Sequence, residues 1–312
     1  MAKQDRMGAL RAALATIFGA AAVLFGGVAL AGALTPPTIP TGGAYLGAWV
    51  NPLGLISYDG ANEIPQLALF NRQIGKPVAV LHVYTLFGDP FPSDTLAAVA
   101  ANGSIPLVDW SCANVTDINT GREDATITAE AQGFKAFGKP AFLRWFWEMN
   151  LNTVAHSNCG AYNNGPTFRA AWQRLWRIFH QVGATNVALV WCPSAHGDAT
   201  SYYPGNIYVD WLGADNYDRA NEGVLSLHDS FAHFYAQWAP HGKPIMIGET
   251  AATTVDQYLY IPSIGQQLPS TFPQIKAVMY FDAPGNSANW SLQGAGITTF
   301  RALANTPYFS FR

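Results

Sequence analysis

The sequence predicts an α/β chain folded as a single (β/α)8 barrel, and three observations carry that expectation. Eight short apolar or aromatic stretches recur along the chain. Helical or loop segments separate them, which is the alternation of a parallel α/β protein. Its 312 residues also suit one barrel of about 250 residues better than two ordinary domains.

The predicted strands cover residues 44–50, 78–84, 105–110, 141–147, 187–192, 209–216, 244–249 and 275–282. The strongest helix is expected over 167–182, where Phe168, Trp172, Leu175, Trp176 and Phe179 fall at helical spacing with Arg and Gln opposite. Weaker helical patterns cover 64–74, 93–101, 125–137, 225–238 and 297–304. The Gly, Tyr and Asn-rich segment 193–208 reads as mostly loop. An open doubly wound sheet is the main rival, but no Gly-x-Gly-x-x-Gly follows the first strand, so a dinucleotide site has no basis.

Ahead of the barrel, residues 1–34 read as a hydrophobic leader and 35–43 as a Pro/Thr/Gly linker, leaving 44–312 for the barrel. Lys3, Arg6 and Arg11 precede an uncharged run from Ala12 to Leu34 that ends near Ala29-Leu30-Ala31, a small-x-small pattern of the kind signal peptidases cut. The run exceeds an ordinary signal core of about 7–15 residues and reaches the roughly 20 that span a bilayer. Its Ala and Gly content favours cleavage and secretion; an uncleaved anchor tethering the barrel to the outer face of the cell membrane is the alternative.

Net charge is −3, charged residues make up 12% and hydrophobic ones 49%. That balance excludes nucleic acid as a partner and supplies one large core. Aromatics reach 13%, with 10 Trp, enough to leave rings free as flat binding surfaces. A monomer is expected. Three cysteines leave one unpaired. Cys112 and Cys159 follow consecutive strands, so a bridge between neighbouring rim loops is an expected pairing in an oxidising compartment. No Cys or His spacing marks a metal site.

Two of the strands share a design. A Gly/Lys/Pro turn leads into an apolar strand that ends in a carboxylate: Gly138-Lys139-Pro140 before Glu148, and Gly242-Lys243-Pro244 before Glu249. Strand alternation places Arg144, Phe146 and Glu148 on one face, and Ile245, Ile247 and Glu249 on one face. The aromatic surroundings favour the protonated form of Glu148 while Arg144 favours the carboxylate, the balance that proton transfer near neutral pH requires. On a barrel the C-terminal strand ends converge on one rim, so two glutamates from the fourth and seventh strands can meet. Two carboxyls flanking an acetal, one acid and one nucleophile, are the parts of a retaining glycosidase, and that chemistry uses no cofactor.

The blocks Arg144 to Asn150, Tyr202 to Gly213, Asp215 with Tyr217, Lys243 to Thr250, and Tyr280-Phe281-Asp282 followed by Trp290, in this order, resemble glycoside hydrolase family 26. These are retaining (β/α)8 enzymes best known as β-mannanases. The resemblance implies Glu148 as general acid/base, Glu249 as nucleophile, Tyr217 as a hydrogen-bonding partner of the nucleophile, and Trp290 as a sugar-stacking ring. Where the family usually has histidine before the acid/base, this sequence has Trp147, so the expected substrate is a β-linked oligo- or polysaccharide, mannan-like or β-glucan-like.

Blander readings accompany each residue. Glu148 paired with Arg144 is also the pattern of a structural ion pair, and the second glutamate weighs against that. Trp49, Trp110, Trp147 and Trp191 end strands and Trp290 follows one, and about half of these are expected to touch sugar; Trp172, Trp176 and Trp238 belong to helix cores. His82 and Tyr84 alternate along the second strand and point to the lumen, with His82 a binding candidate. Asn150 and Asp282 are binding candidates too, although Asp282, like Asp109, is also placed to orient a loop. His196 sits on a rim loop. The alternative function is a non-catalytic carbohydrate-binding protein on the same barrel.

Overall fold

The computed structural model describes residues 33–55, 60–151, 164–218, 223–285 and 288–311. Leu34–Arg312 form one compact unit. All but the last two residues of the expected leader lie outside the described residues, among which no helix is long and apolar enough to cross a membrane.

The strands β1 Tyr45–Val50, β2 Val80–Thr85, β3 Ile105–Trp110, β4 Ala141–Trp145, β5 Val187–Trp191, β6 Trp211–Asp215, β7 Ile245–Thr250 and β8 Ile275–Asp282 close into a barrel. Every neighbouring pair is parallel, and β1 meets β8 in register from Tyr45 opposite Ala277 to Val50 opposite Asp282. The helices are α1 Leu67–Ile74, α2 Ser93–Ala101, α3 Val115–Thr120, α4 Asp124–Phe137, α5 Gly165–Val182, α6 Leu227–Trp238, α7 Gln257–Thr271 and α8 Ala295–Ala304. All eight predicted strands are present, with no end moved by more than two residues.

Alternation along each strand splits the core in two. Tyr45, Val80, Leu107, Phe142, Val190, Trp211, Met246 and Met279 fill the lumen. Leu46, Leu81, Val108, Leu143, Leu189, Leu212, Ile247 and Val278 instead join the helix side chains in the larger cluster outside it. The amphipathic α5 shows how a helix is added: Asn164 and Thr167 form a reciprocal capping box, Pro166 sits in its first turn, and Phe168, Trp172, Leu175 and Phe179 are buried.

Two helices escape the sequence reading. α3 is short, capped by Asn114, whose side chain accepts from the Thr116 amide. α7 holds Pro262 and Pro269 in its interior, residues that ordinarily argue against a helix. Its apolar face overrides them: Tyr260, Ile261, Ile264 and Leu268 are buried, and a Cβ at Gly265 would come within 2.9 Å of Leu303 in α8. The linker reading needs correction as well. Residues 35–43 do not stand clear of the barrel; Pro37 and Pro40 are buried, and the Tyr45 hydroxyl donates to the Thr38 carbonyl at 2.8 Å.

Candidate active site

The two strands that end in glutamate deliver those residues by breaking their own alternation. β4 stops at Trp145, and Phe146 (φ 51°) and Glu148 (φ 52°) adopt the left-handed backbone that side-chain-bearing residues rarely adopt. Phe146 therefore does not share a face with Glu148: its ring is buried against Trp145 and Phe168, each at a centroid distance of 5.7 Å. In β7, Ile245 and Ile247 pack outward against the helices, and the register against β6 and β8 shifts near Glu249. Gly248 takes the lumen position, where a Cβ would lie 2.5 Å from Asp215 Oδ1 and 2.6 Å from Cys192 Sγ. With that space occupied by neighbours, Glu249 swings up to the rim.

Both carboxyls line one cavity of about 370 Å³, walled by Trp49, Tyr84, Trp147, Tyr217, Phe281, Gly285 and Trp290. Beneath it, Arg144 is wholly buried and holds three carboxylates. Its Nε donates to Asp109, its Nη1 to Asp215 Oδ2 at 2.7 Å, and its Nη2 to Glu249 Oε1 at 2.5 Å. The Tyr84 hydroxyl donates to the same Glu249 oxygen at 2.6 Å, and the Tyr217 hydroxyl donates to Oε2. Burial, with the nearby Glu249 charge second, pushes both hydroxyls well above the ordinary tyrosine range, so they stay protonated donors.

These surroundings drive the two glutamates apart. Burial alone would raise Glu249, but Arg144 above all, then His82 and the hydroxyls of Tyr217 and Tyr84, hold it below the usual carboxylate range. Glu148 has no such grip. Burial, reinforced by the Glu249 charge and only partly opposed by Arg144, raises it to about 7. A neighbouring pair with separated protonation states is the signature of one acid and one base or nucleophile.

Arg144 is the keystone of this layer. Removing the guanidinium leaves three carboxyls buried without their cation, at a cost of about 3–5 kcal/mol. Arg144→Met is expected to lower the thermal midpoint by on the order of 10 °C. A scanning-calorimetry midpoint within about 2 °C of the parent would contradict that role.

The profile of glycosyl hydrolase family 26 matches residues 123–308, more than half of the chain. The chain belongs to glycosyl hydrolase family 26. Endoglucanase H of Acetivibrio thermocellus is 29% identical over 260 residues, covering 77% of this chain and 28% of that protein. A β-1,3-xylanase, TXYA, of Vibrio sp is 29% identical over 150 residues, covering 44% of this chain and 29% of that protein. The chain thus spans under a third of the length of these curated relatives. In fold, a family 26 β-mannanase from Bacteroides ovatus superposes with a TM-score of 0.63 at 15% identity, over 87% of this chain and 91% of that one.

On this family 26 barrel, the predicted residues fall into two groups. Glu148, Glu249, Tyr217, Trp49, Trp147 and Trp290 meet at the cavity, with Arg144 directly below. Trp290 lies stacked on Tyr217 at 5.0 Å, and Trp49 packs against Tyr84 and Phe281 at 4.8 and 4.5 Å.

The other candidates are corrected. Trp110 faces the helices and stacks on Phe87 at 4.3 Å; its neighbour Asp109 takes the lumen side, and adjacent strand residues cannot both do so. Trp191 likewise packs outward on Trp238, at 4.6 Å. Asp282 accepts the Leu292 amide at 2.7 Å and so fixes the loop that carries Trp290. Asn150 spends its amide on the Ser194 backbone, accepting at 2.9 Å and donating at 3.0 Å, which ties together the loops after β4 and β5. His82 is buried below the cavity, bonded through Nδ1 to Asp109. His196 is exposed and outside the cavity wall.

Cys112 is disulfide-bonded and Cys192 is a free thiol beneath the site; Cys159 lies outside the described residues. Among the described residues, no group of three or more His, Cys, Asp or Glu side chains is arranged to hold a metal ion. Reading by motif passes over Tyr84 as a member of the site and Asp215 as an anchor of Arg144. Alternation with His82 is the signal that finds the first. The second follows from counting donors, since the five N–H groups of a buried guanidinium need more acceptors than one carboxylate supplies.

Proposed function

We propose that this family 26 chain is a retaining glycoside hydrolase that cleaves β-linked polysaccharide by double displacement. The observation that carries the reading is the split pair: Glu249, kept ionised by Arg144 and two tyrosine hydroxyls, shares one aromatic cavity with Glu148, kept protonated by burial. In the first step Glu249 attacks the anomeric carbon while Glu148 gives its proton to the departing oxygen. A covalent glycosyl ester forms and the glycosidic bond breaks. In the second step Glu148, now ionised, takes a proton from water, which displaces Glu249 and releases the sugar with its configuration retained.

The rings of Trp49, Trp147 and Trp290 suit the apolar faces of pyranose rings, which supports a glycan over a smaller acetal. The relatives include an endoglucanase, a β-1,3-xylanase and a mannan endo-1,4-β-mannosidase, and β-linked polysaccharide is the class that these names support here. Export is part of the same proposal, supported by the leader sequence and by a disulfide at Cys112.

A reducing-sugar assay across mannan, xylans of both linkages and mixed-linkage β-glucan tests the reading, with proton NMR following the first-formed anomer. Release of β-anomer from at least one polymer is expected. Binding without hydrolysis on every polymer would favour a carbohydrate-binding protein instead, and first-formed α-anomer would exclude double displacement.

A further inference from the structure

Trp147 lies between the two left-handed residues Phe146 and Glu148. Such backbone is strained for a residue with a side chain and persists only where the surroundings hold it. Two holds are main-chain: the Phe146 amide donates to the Trp110 carbonyl at 3.0 Å, and the Glu148 amide to the Cys192 carbonyl at 2.8 Å. The third is the indole. Its ring meets Tyr84 edge-on at 5.4 Å, and the Arg144 guanidinium carbon lies 5.5 Å from its centroid. Tyr84 and Arg144 are the two groups that grip Glu249 Oε1. One half-buried side chain is thus next in sequence to the acid and in contact with both holders of the nucleophile.

We propose that Trp147 is a positioning residue for both carboxyls, setting the strained turn that aims Glu148 and keeping water off the contact of Arg144 and Tyr84 with Glu249. This rests on the glycosidase reading of the same site. The charged groups facing Glu148 are Glu249 from β7, Arg144 from β4 and Asp215 from β6, with the hydroxyls of Tyr84 and Tyr217 in the same wall. Taking the ring away admits water to this cluster. Burial is the largest influence keeping Glu148 protonated, so its titration moves down toward the ordinary carboxylate range.

The test compares the full chain with Trp147→Ala and with Trp147→Phe, which keeps a ring. The Glu148 carboxyl is titrated by carbon NMR in glutamate-labelled protein, its signal identified by its loss in Glu148→Gln; this needs no turnover. The pH profile of kcat/KM is taken on the β-glycan that the parent cleaves. In Trp147→Ala the Glu148 midpoint is expected to fall by about one unit. The alkaline limb should move with it, and kcat should drop roughly 10-fold, whereas Trp147→Phe stays near the parent. Should Trp147→Ala fail to fold, Trp147→Leu, apolar but without a ring face, carries the same expectation.

A raised KM with an unmoved midpoint would reduce Trp147 to a sugar-stacking ring and overturn the proposal. So would an equal loss of rate at every pH with the midpoint in place. If the parent cleaves no glycan yet the midpoint still moves, the hydrolase reading falls and the positioning role stands.

Discussion

Glu249→Ala is expected to lower kcat on β-glycan and on activated aryl glycosides alike, on the order of 10⁴-fold or more, because no covalent intermediate can form without the attacking carboxylate. Fold stability should change far less than for Arg144→Met. Arg144 keeps Asp109 and Asp215 as partners, and the lost side chain sits at the rim rather than in the close-packed lumen. The hydroxyls of Tyr84 and Tyr217 are left without their acceptor, facing a cavity that water can enter. A small anion such as azide or formate fits the vacated space beside Arg144, and with a good leaving group it should restore part of the rate and give product of inverted configuration. Retention of more than about one hundredth of parental activity on aryl glycosides, with the substitution verified, would show that Glu249 is not the nucleophile.

The barrel was legible because its signal is global. Eight strands spaced along one chain leave little choice of fold, and errors of one or two residues at strand ends do not alter the count. The site was legible where a residue's chemistry is costly in any other role: Arg144 and Glu249, buried in an apolar chain with the half-buried Glu148 beside them, have few explanations other than each other. Reading by strand period failed where the backbone leaves the strand. Phe146, Glu148 and Glu249 obey local conformation and bulges, which no two-residue period encodes. Trp110 misses the cleft for the opposite reason, since the period does hold through β3 and gives the lumen to Asp109. The helix at Gln257–Thr271 is invisible to local propensity, because two interior prolines argue against it and only packing outweighs them.

Glu148→Ala separates the acid from the nucleophile. With ordinary glycan the leaving group is a sugar hydroxyl that departs poorly as an anion, so losing the proton donor should reduce kcat/KM by about 10²–10⁴-fold. A dinitrophenyl glycoside leaves without a proton, so formation of the glycosyl ester on Glu249 is spared. Hydrolysis of that ester still needs a base to activate water, so the variant should show a burst of dinitrophenol followed by slow turnover. Azide, which needs no deprotonation, should speed the second phase and trap product with retained configuration.

The pH dependence follows from the same two groups. Parental activity on glycan needs ionised Glu249 and protonated Glu148, so it rises through a pKa below the usual carboxylate range and falls as pH passes about 7. In Glu148→Ala the dinitrophenyl reaction should keep the acidic limb and lose the alkaline one. If the alkaline limb survives unchanged, or if both substrates lose rate in the same proportion, Glu148 is not the proton donor, and its raised pKa reflects only burial and the nearby Glu249 charge.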